Sequence, residues 1–281
     1  MSVVHFAVLS AALIASICPQ AAMAKEKLLW AALDFPPFQV RDGDFRGSGS
    51  FDGLMELLIE QLPAYEHEVL TMNFARREDE FRQGEKMCTP GLFRTSEREK
   101  YLTFSAPALI HLDNRVVYMT SKAARFKGAG PIDLQELFKR TDLVGGIISN
   151  RSFAPNIDPL VQRYLNQPNV VTRAVKSSQM FEMLSQGEID YTIMFPHEAA
   201  FLARQFGRPN DIVTRPITGT PAYSMTAVAC TKGAWGNAII ARIDGILKQQ
   251  RETSRYRALS ERWYEGGDRA LIKKYYPNLL Q

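Results

Sequence analysis

The 281-residue sequence is poor in the side chains that most catalytic and metal-binding motifs need, with only 4 histidines and 3 cysteines. His67, His111 and His197 lie far apart in the chain, with no metal-ligand spacing. His197-Glu198 is not followed by a second histidine three residues on, so the zincin motif is absent. No glycine-rich loop with a lysine is present to cradle phosphate. Gly47-Ser48-Gly49-Ser50 lacks the spacing of a nucleophile elbow. Carboxylate pairs such as Glu188 and Asp190 read as solvated turn charges. These absences count against an enzyme without excluding one, because two distant carboxylates suffice for acid–base work. There is also no run of lysine or arginine. The 34 basic and 30 acidic residues are mixed along the chain, so the net charge of +4 makes no basic face for nucleic acid. With 46% hydrophobic and 23% charged residues, 18 glycines and 15 prolines, the composition excludes disorder and collagen-like repeats.

After the first 24 residues no apolar segment is long enough to span a membrane. Residues 3–17 are apolar apart from His5, Ser10 and Ser16, and no charged side chain precedes Lys25. Ala22-Met23-Ala24 forms an A-x-A site just before it. Residues 1–24 are therefore expected to be a cleaved secretory signal peptide, with a weak n-region, and the mature chain to be exported. Ile17 before Cys18 is too large for a lipidation site. Cys88 and Cys230 remain, and an oxidising compartment suits a disulfide.

Residues 27–33 (KLLWAAL) read as a strand that ends at Asp34-Phe35-Pro36-Pro37-Phe38, which places both phenylalanines on a loop. Residues 54–62 read as a helix capped by Asp52, and residues 76–83 as another. Strands are expected at 67–73, 86–93 and 102–105, with Pro107 closing that unit. Ser96-Glu97-Arg98-Glu99 has the pattern of a capping box opening a short helix. Further strands are expected at 115–119, 143–148, 169–172, 189–195 and 223–230. Helices follow at 157–165, after a Ser177 or Ser178 cap, and at 198–206, 238–250 and 256–264. This alternation argues for an α/β fold with mostly parallel sheets. No Pro/Gly-rich linker marks a boundary, which fits two lobes joined by extended strands.

Four features occur in order. They are the strand into Asp34-Phe35-Pro36-Pro37-Phe38, Thr95-Ser96-Glu97-Arg98 followed by Phe104-Ser105-Ala106-Pro107, Val144-Gly145-Gly146 into Ser149-Asn150-Arg151-Ser152, and the segment from Leu184 to Asp190. The chain then reaches Glu261-Arg262-Trp263-Tyr264. Together they resemble the bacterial extracellular solute-binding proteins of family 3, the polar amino-acid type. More narrowly, Asn73-Phe74-Ala75-Arg76, Arg94-Thr95-Ser96-Glu97-Arg98-Glu99 and Ala229-Cys230-Thr231-Lys232-Gly233-Ala234-Trp235-Gly236 are similar to one branch of it. The resemblance implies an α/β, two-lobed periplasmic binding protein-like fold of type II, with a ligand cleft between the lobes. Residues 25–112 and 220–281 would form lobe 1, and 113–219 lobe 2. It implies a monomeric periplasmic protein, without cofactor or metal, that captures a small carboxylate-bearing solute. That solute would be anionic or zwitterionic, amino-acid-like or an organic acid. The partner would be an ABC-type permease or a membrane sensor. An enzyme on the same scaffold, such as a dehydratase of cyclic carboxylates, and a free-standing sensory module are the alternatives.

The resemblance also assigns the cleft. Arg98 matches the position that grips a ligand carboxylate, and a bound anion would relieve a cation in a helix's first turn. An aromatic ring from Phe35 or Phe38 would cover the ligand, on the loop where open sheets place ligands. Asp34 either meets a ligand cation or caps its loop. Arg151 and Ser152 match the lobe 2 loop, and Arg151 either adds a cation to the cleft or points to solvent. Arg76 and Arg94 are further candidate cations. The family usually places an Asp for the ligand's α-ammonium where this chain has Phe195. Glu198 either replaces that acid or is a helix-start carboxylate. Phe93 stands where a carboxylate-binding hydroxyl is common. A Cys88–Cys230 disulfide is implied, because the two strands would be neighbours in one sheet.

Overall fold

The computed structural model describes Met1 and residues 25–281, so the expected signal segment, residues 2–24 with its cleavage site, lies outside the described residues. The chain runs β1 (Glu26–Leu33), α1 (Ser50–Gln61), β2 (Tyr65–Met72), α2 (Phe74–Gln83), β3 (Met87–Leu92) and β4 (Leu102–Leu112). It continues through β5 (Arg115–Met119), α3 (Leu134–Phe138), β6 (Gly145–Ile148), α4 (Asp158–Tyr164), β7 (Val170–Arg173) and α5 (Ser177–Gln186). Then come β8 (Tyr191–Met194), α6 (Pro196–Gln205), β9 (Ile212–Pro216), β10 (Tyr223–Thr231), α7 (Ala234–Gln250), α8 (Ser254–Glu261) and α9 (Gly266–Tyr275).

Two five-stranded sheets result, ordered β2-β1-β3-β10-β4 in lobe 1 and β7-β6-β8-β5-β9 in lobe 2. Helices α1 and α7 pack on the first sheet, and α5 and α6 on the second. The sheets are mixed rather than mostly parallel. β1 runs parallel to β2 and β3, and β6 to β7 and β8. β10 is antiparallel to β3 and β4, and β5 to β8 and β9. The reason is the double crossing between lobes: β4 carries the chain out and β10 brings it back alongside, from Tyr223 opposite Leu112 to Thr231 opposite Leu102. The two crossings touch where the Asp113 amide donates to the Ala222 carbonyl at 3.3 Å.

Pro107 does not end its strand. β4 lies at the sheet edge, where a missing N–H facing outward costs no ladder bond. Asp52 is not the cap of α1 but sits three residues inside, where its carboxylate accepts from the Gly49 and Val40 amides at 3.1 and 2.8 Å. Gly49 is the cap because the chain passes so close to the Phe38 carbonyl that a Cβ would lie 2.1 Å from it. Lys176, not a serine, precedes α5, and its amide donates to the Gln179 side chain at 3.0 Å. Cys88 and Cys230 lie opposite each other on β3 and β10 and form the disulfide, with S–S 2.01 Å. Among the described residues no helix is long and apolar enough to cross a membrane.

Candidate interlobe binding site

The loop after β1 folds back on itself: the Phe35 amide donates to the Gln39 carbonyl at 3.0 Å, and the Gln39 amide returns to the Phe35 carbonyl at 2.9 Å. This turn drives Phe38 between the lobes. Its ring lies 4.7 Å from Phe35, 4.8 Å from Phe51 and 5.0 Å from His111, all in lobe 1. From lobe 2, Phe195 and His197 meet it at 4.9 and 4.6 Å. Phe195 immediately follows β8, and His197 lies in the first turn of α6.

Beside this cluster is a pocket of about 40 Å³, walled by Phe35, Phe38, Phe51, Phe74, Phe93 and Phe195 and edged by Arg77, Arg98, Ser152 and Thr226. That volume is close to the share of a single water in the liquid, roughly 30 Å³. Two larger interlobe grooves flank it. One of about 720 Å³ shares Phe74 with the pocket, and one of about 610 Å³ shares Arg98 and Ser152.

Arg98 is buried on the pocket edge. Its guanidinium donates to the Phe93 carbonyl at 3.1 Å and to Glu78 at 3.0 Å. The segment carrying it is a single 3-10 turn, Arg98–Lys100, rather than an α-helix, and the Thr95 hydroxyl, not Ser96, accepts its amide at 3.2 Å. A turn this short supplies little helix dipole, so the positive charge at the pocket edge comes from the buried guanidiniums. Arg77 of α2 donates to the same Glu78 oxygen at 3.1 Å, and the Tyr101 hydroxyl donates to the other at 2.8 Å. Burial alone would raise the Glu78 carboxyl, but Arg77, Arg98 and Tyr101 outweigh it and hold the group below its ordinary value. Burial and the Glu78 charge push the Tyr101 phenol up to about 12.

Arg151 does not point to solvent. It is buried under the Phe35 ring, 4.8 Å from guanidinium carbon to ring centre, and makes a two-pronged ion pair with Glu198, both bonds 2.7 Å. Glu198 is the helix-start carboxylate: fully buried on α6, it also accepts the Phe195 amide at 3.2 Å. Both its oxygens are thereby engaged, and it does not border the pocket. Asp34 stands at the mouth of the larger groove and bonds Lys176 of lobe 2 at 2.6 Å. Ser152 borders the pocket, with its hydroxyl donating to Asp158 at 2.5 Å. Arg76 is not brought to the cleft; it is exposed on α2 and pairs with Glu80 at 3.1 Å. One residue along a helix turns the side chain by about 100°, so its neighbour Arg77 faces inward instead. Arg94 is exposed in the second groove and pairs with Glu99 at 2.6 Å.

Sequence reasoning missed Arg77 and the two histidines. Arg77 and Phe81 are four residues apart and form the buried face of α2, a spacing visible in the sequence. His111 of β4 and His197 of α6 stack across the lobe boundary, 6.2 Å apart and 10° from parallel. His111 shares a 3.0 Å hydrogen bond with the Thr226 hydroxyl. Burial lowers the pKa of His111 to about 3 and that of His197 well below the ordinary value, with His111 and Arg151 adding to the latter. Both rings are neutral at pH 7. Among the described residues no group of His, Cys, Asp or Glu is placed to hold a metal ion.

The sequence pattern of the bacterial extracellular solute-binding proteins, family 3, matches residues 30–266. The chain belongs to this family. No curated protein sequence matches it. Among solved structures, the periplasmic VFT2 domain of Bordetella pertussis BvgS is 20% identical, with TM-score 0.62 over 85% of this chain and 93% of that one. An ancestral arginine-binding protein bound to arginine is 17% identical, with TM-score 0.66 over 86% and 99%. An ancestral amino-acid-binding protein, a precursor of cyclohexadienyl dehydratase, is 18% identical, with TM-score 0.64 over 86% and 95%. These likenesses show the two-lobed fold. Within that family fold, this chain fills the space between its lobes with phenylalanine rings and an internal Arg151–Glu198 pair.

Proposed function

We propose that this family 3 protein is a periplasmic solute-binding protein. It captures a small carboxylate-bearing solute between lobe 1 (residues 25–112 and 220–281) and lobe 2 (residues 113–219) and presents it to a membrane partner. The observation that carries this reading is Arg98, a buried guanidinium on the interlobe pocket, with Ser152 of lobe 2 on the same pocket. Phe35 and Phe38 form the aromatic wall beside it. Lys176 and Asp34 bridge the lobes at the mouth, where a closing solute would be sealed in. Binding without turnover suits the neutral histidines and the engaged carboxylates.

Native mass spectrometry of the protein purified from its own periplasm, followed by calorimetry with the ligand found, tests the proposal. Arg98→Ala should weaken binding of that ligand by about 100-fold, because a desolvated carboxylate would lose its charged partner. A retained ligand with no acidic group, or unchanged affinity in the variant, would overturn it. An ABC-type permease is the proposed partner. A likeness to a histidine kinase sensor domain with similarity to periplasmic binding proteins, 16% identical with TM-score 0.67, favours a second reading, in which the partner is a membrane sensor; crosslinking in intact cells separates the two.

A further inference from the structure

We propose that the interlobe pocket takes a monocarboxylate with an apolar, ring-sized body and no ammonium group, and that Arg77 is a second anion-binding side chain beside Arg98. The inference deepens the carboxylate-binding reading above and rests on it.

Charge balance comes first. Arg77 and Arg98 are 2% and 7% exposed, and both lean on the single carboxylate of Glu78. Among the described residues Glu78 is the carboxylate that acts on Arg77, with the Tyr101 phenol a smaller contributor. Two buried cations against one anion leave one positive charge without a counter-charge, which is costly in a dry interior. The second Glu78 oxygen is already occupied by Tyr101. The Arg77 Nε is buried with no hydrogen-bond partner among the described residues. One added carboxylate at this edge supplies both the missing charge and the missing acceptor.

The rest of the lining describes the body of the solute. Among the described residues the pocket is lined by two arginines, six phenylalanines and no aspartate or glutamate. Its neighbouring acids are committed: Glu78 to the two arginines and Tyr101, Asp158 to Ser152 and the Phe153 and Ala154 amides, Glu198 to Arg151 and Asp34 to Lys176. A primary ammonium entering with the carboxylate would find two guanidiniums and no uncommitted carboxylate. An aromatic or alicyclic body would find ring faces and edges, the arrangement in which aromatic groups pack well.

Size identifies the wall that yields. About 40 Å³ admits a carboxylate group but not a ring. Phe74, half-buried at the start of α2, separates the pocket from the groove of about 720 Å³. Displacement of its ring joins the two spaces and places the solute's body where Phe74 now lies.

Three probes of one shape test this by calorimetry on the mature protein: phenylacetate, its ammonium-bearing counterpart phenylglycine, and neutral phenylacetamide. Phenylacetate should bind at least tenfold more tightly than either. Arg77→Gln should weaken phenylacetate by tenfold or more, while Arg255→Gln, on the far helix α8, should not change it. Phenylglycine binding as tightly as phenylacetate would overturn the inference and leave the carboxylate reading standing. Loss of binding in Arg98→Gln but not in Arg77→Gln would remove the Arg77 assignment alone. The three-probe ranking uses the unaltered protein, so it decides the ligand class even if the Arg77 variant does not fold. Absence of binding by all three probes would overturn the inference, whereas the carboxylate reading is decided separately by the retained native ligand.

Discussion

His111 and His197 place two neutral imidazoles in the aromatic contact between lobes, and their burial makes stability depend on pH in a definite direction. The pKa of His111 falls from 6.5 unfolded to about 3 folded, so its contribution is complete above pH 6.5 and is lost as pH drops towards 3. His197 behaves alike. Asp113, at the crossing between lobes, works the other way: burial raises it from 3.8 to about 6, so its cost grows as pH rises through that interval. At pH 4.5 linkage gives a loss of about 2–3 kcal/mol at His111 against about 2 kcal/mol regained at Asp113, and the lowered His197 adds to the loss. The thermal midpoint should therefore fall between pH 7 and pH 4.5, by an amount set by His197. His111→Gln, which can keep a bond to Thr226, should flatten that profile. An identical profile in the variant would show that the acid sensitivity arises elsewhere. Single residues were the least legible part of the sequence. Arg98 stands out through its motif, whereas Arg77 does not, because charge can be read from a sequence and helical phase only by asking which neighbours are apolar. The histidines are 86 positions apart in sequence and meet only because β4 and α6 face each other across the cleft.

At the scale of elements, the strands of both sheets were legible because their apolar runs are short and bounded by turn residues. β9 was not, since IVTRP is an edge strand whose residues are mostly half-buried, so its pattern lacks contrast. α9 was hidden by its Gly266-Gly267 start. Pro107 misled for a related reason, since a sequence does not announce which strand is the edge. The β3–β10 pair was legible once the family fold was recognised, and it carries the disulfide. Cys88 and Cys230 are 142 positions apart and enclose the whole of the second sheet. In the chain-entropy account, closing a loop of this size restricts the unfolded chain by about 5 kcal/mol. The Cys88→Ser, Cys230→Ser double variant should then lose roughly 10 °C in thermal midpoint, at about 2–4 °C per kcal/mol with allowance for the usual shortfall. Solute affinity should stay within about twofold, because the bond joins two strands of one lobe and neither Cys88 nor Cys230 borders the pocket. A large loss of affinity at unchanged stability would show that the return strand positions the site rather than the fold.

At the scale of the molecule, the lobes meet through contacts of very different worth. The Asp34–Lys176 bridge is half-exposed on its lysine side, so it contributes about 1 kcal/mol or less. The Phe38 cluster is buried and dominates, but its removal would damage the fold as well as the contact. Phe45 offers a cleaner probe. It lies on the loop of lobe 1 before α1, is 46% exposed, and reaches Phe201 of α6 at 5.9 Å and Trp263 at 5.1 Å. Trp263 is itself fastened to lobe 1 through its indole N–H, which donates to the Ser48 carbonyl at 3.1 Å, and its ring stands 4.8 Å from Phe201. The three rings thus form a clasp across the lobe boundary, with Phe45 its exposed member. An aromatic pair contributes about 0.5–1.5 kcal/mol beyond its area, so Phe45→Ala should shift the balance between closed and open lobes by roughly fivefold at about 1 kcal/mol. A solute that requires the closed form would bind more weakly by the same factor only where the closed form is a minority, and hardly more weakly where it dominates. Small-angle scattering distinguishes these cases directly. A larger radius of gyration in Phe45→Ala, restored by the solute, is the expected result. An unchanged radius with unchanged affinity would mean that the clasp covers the surface without holding the lobes.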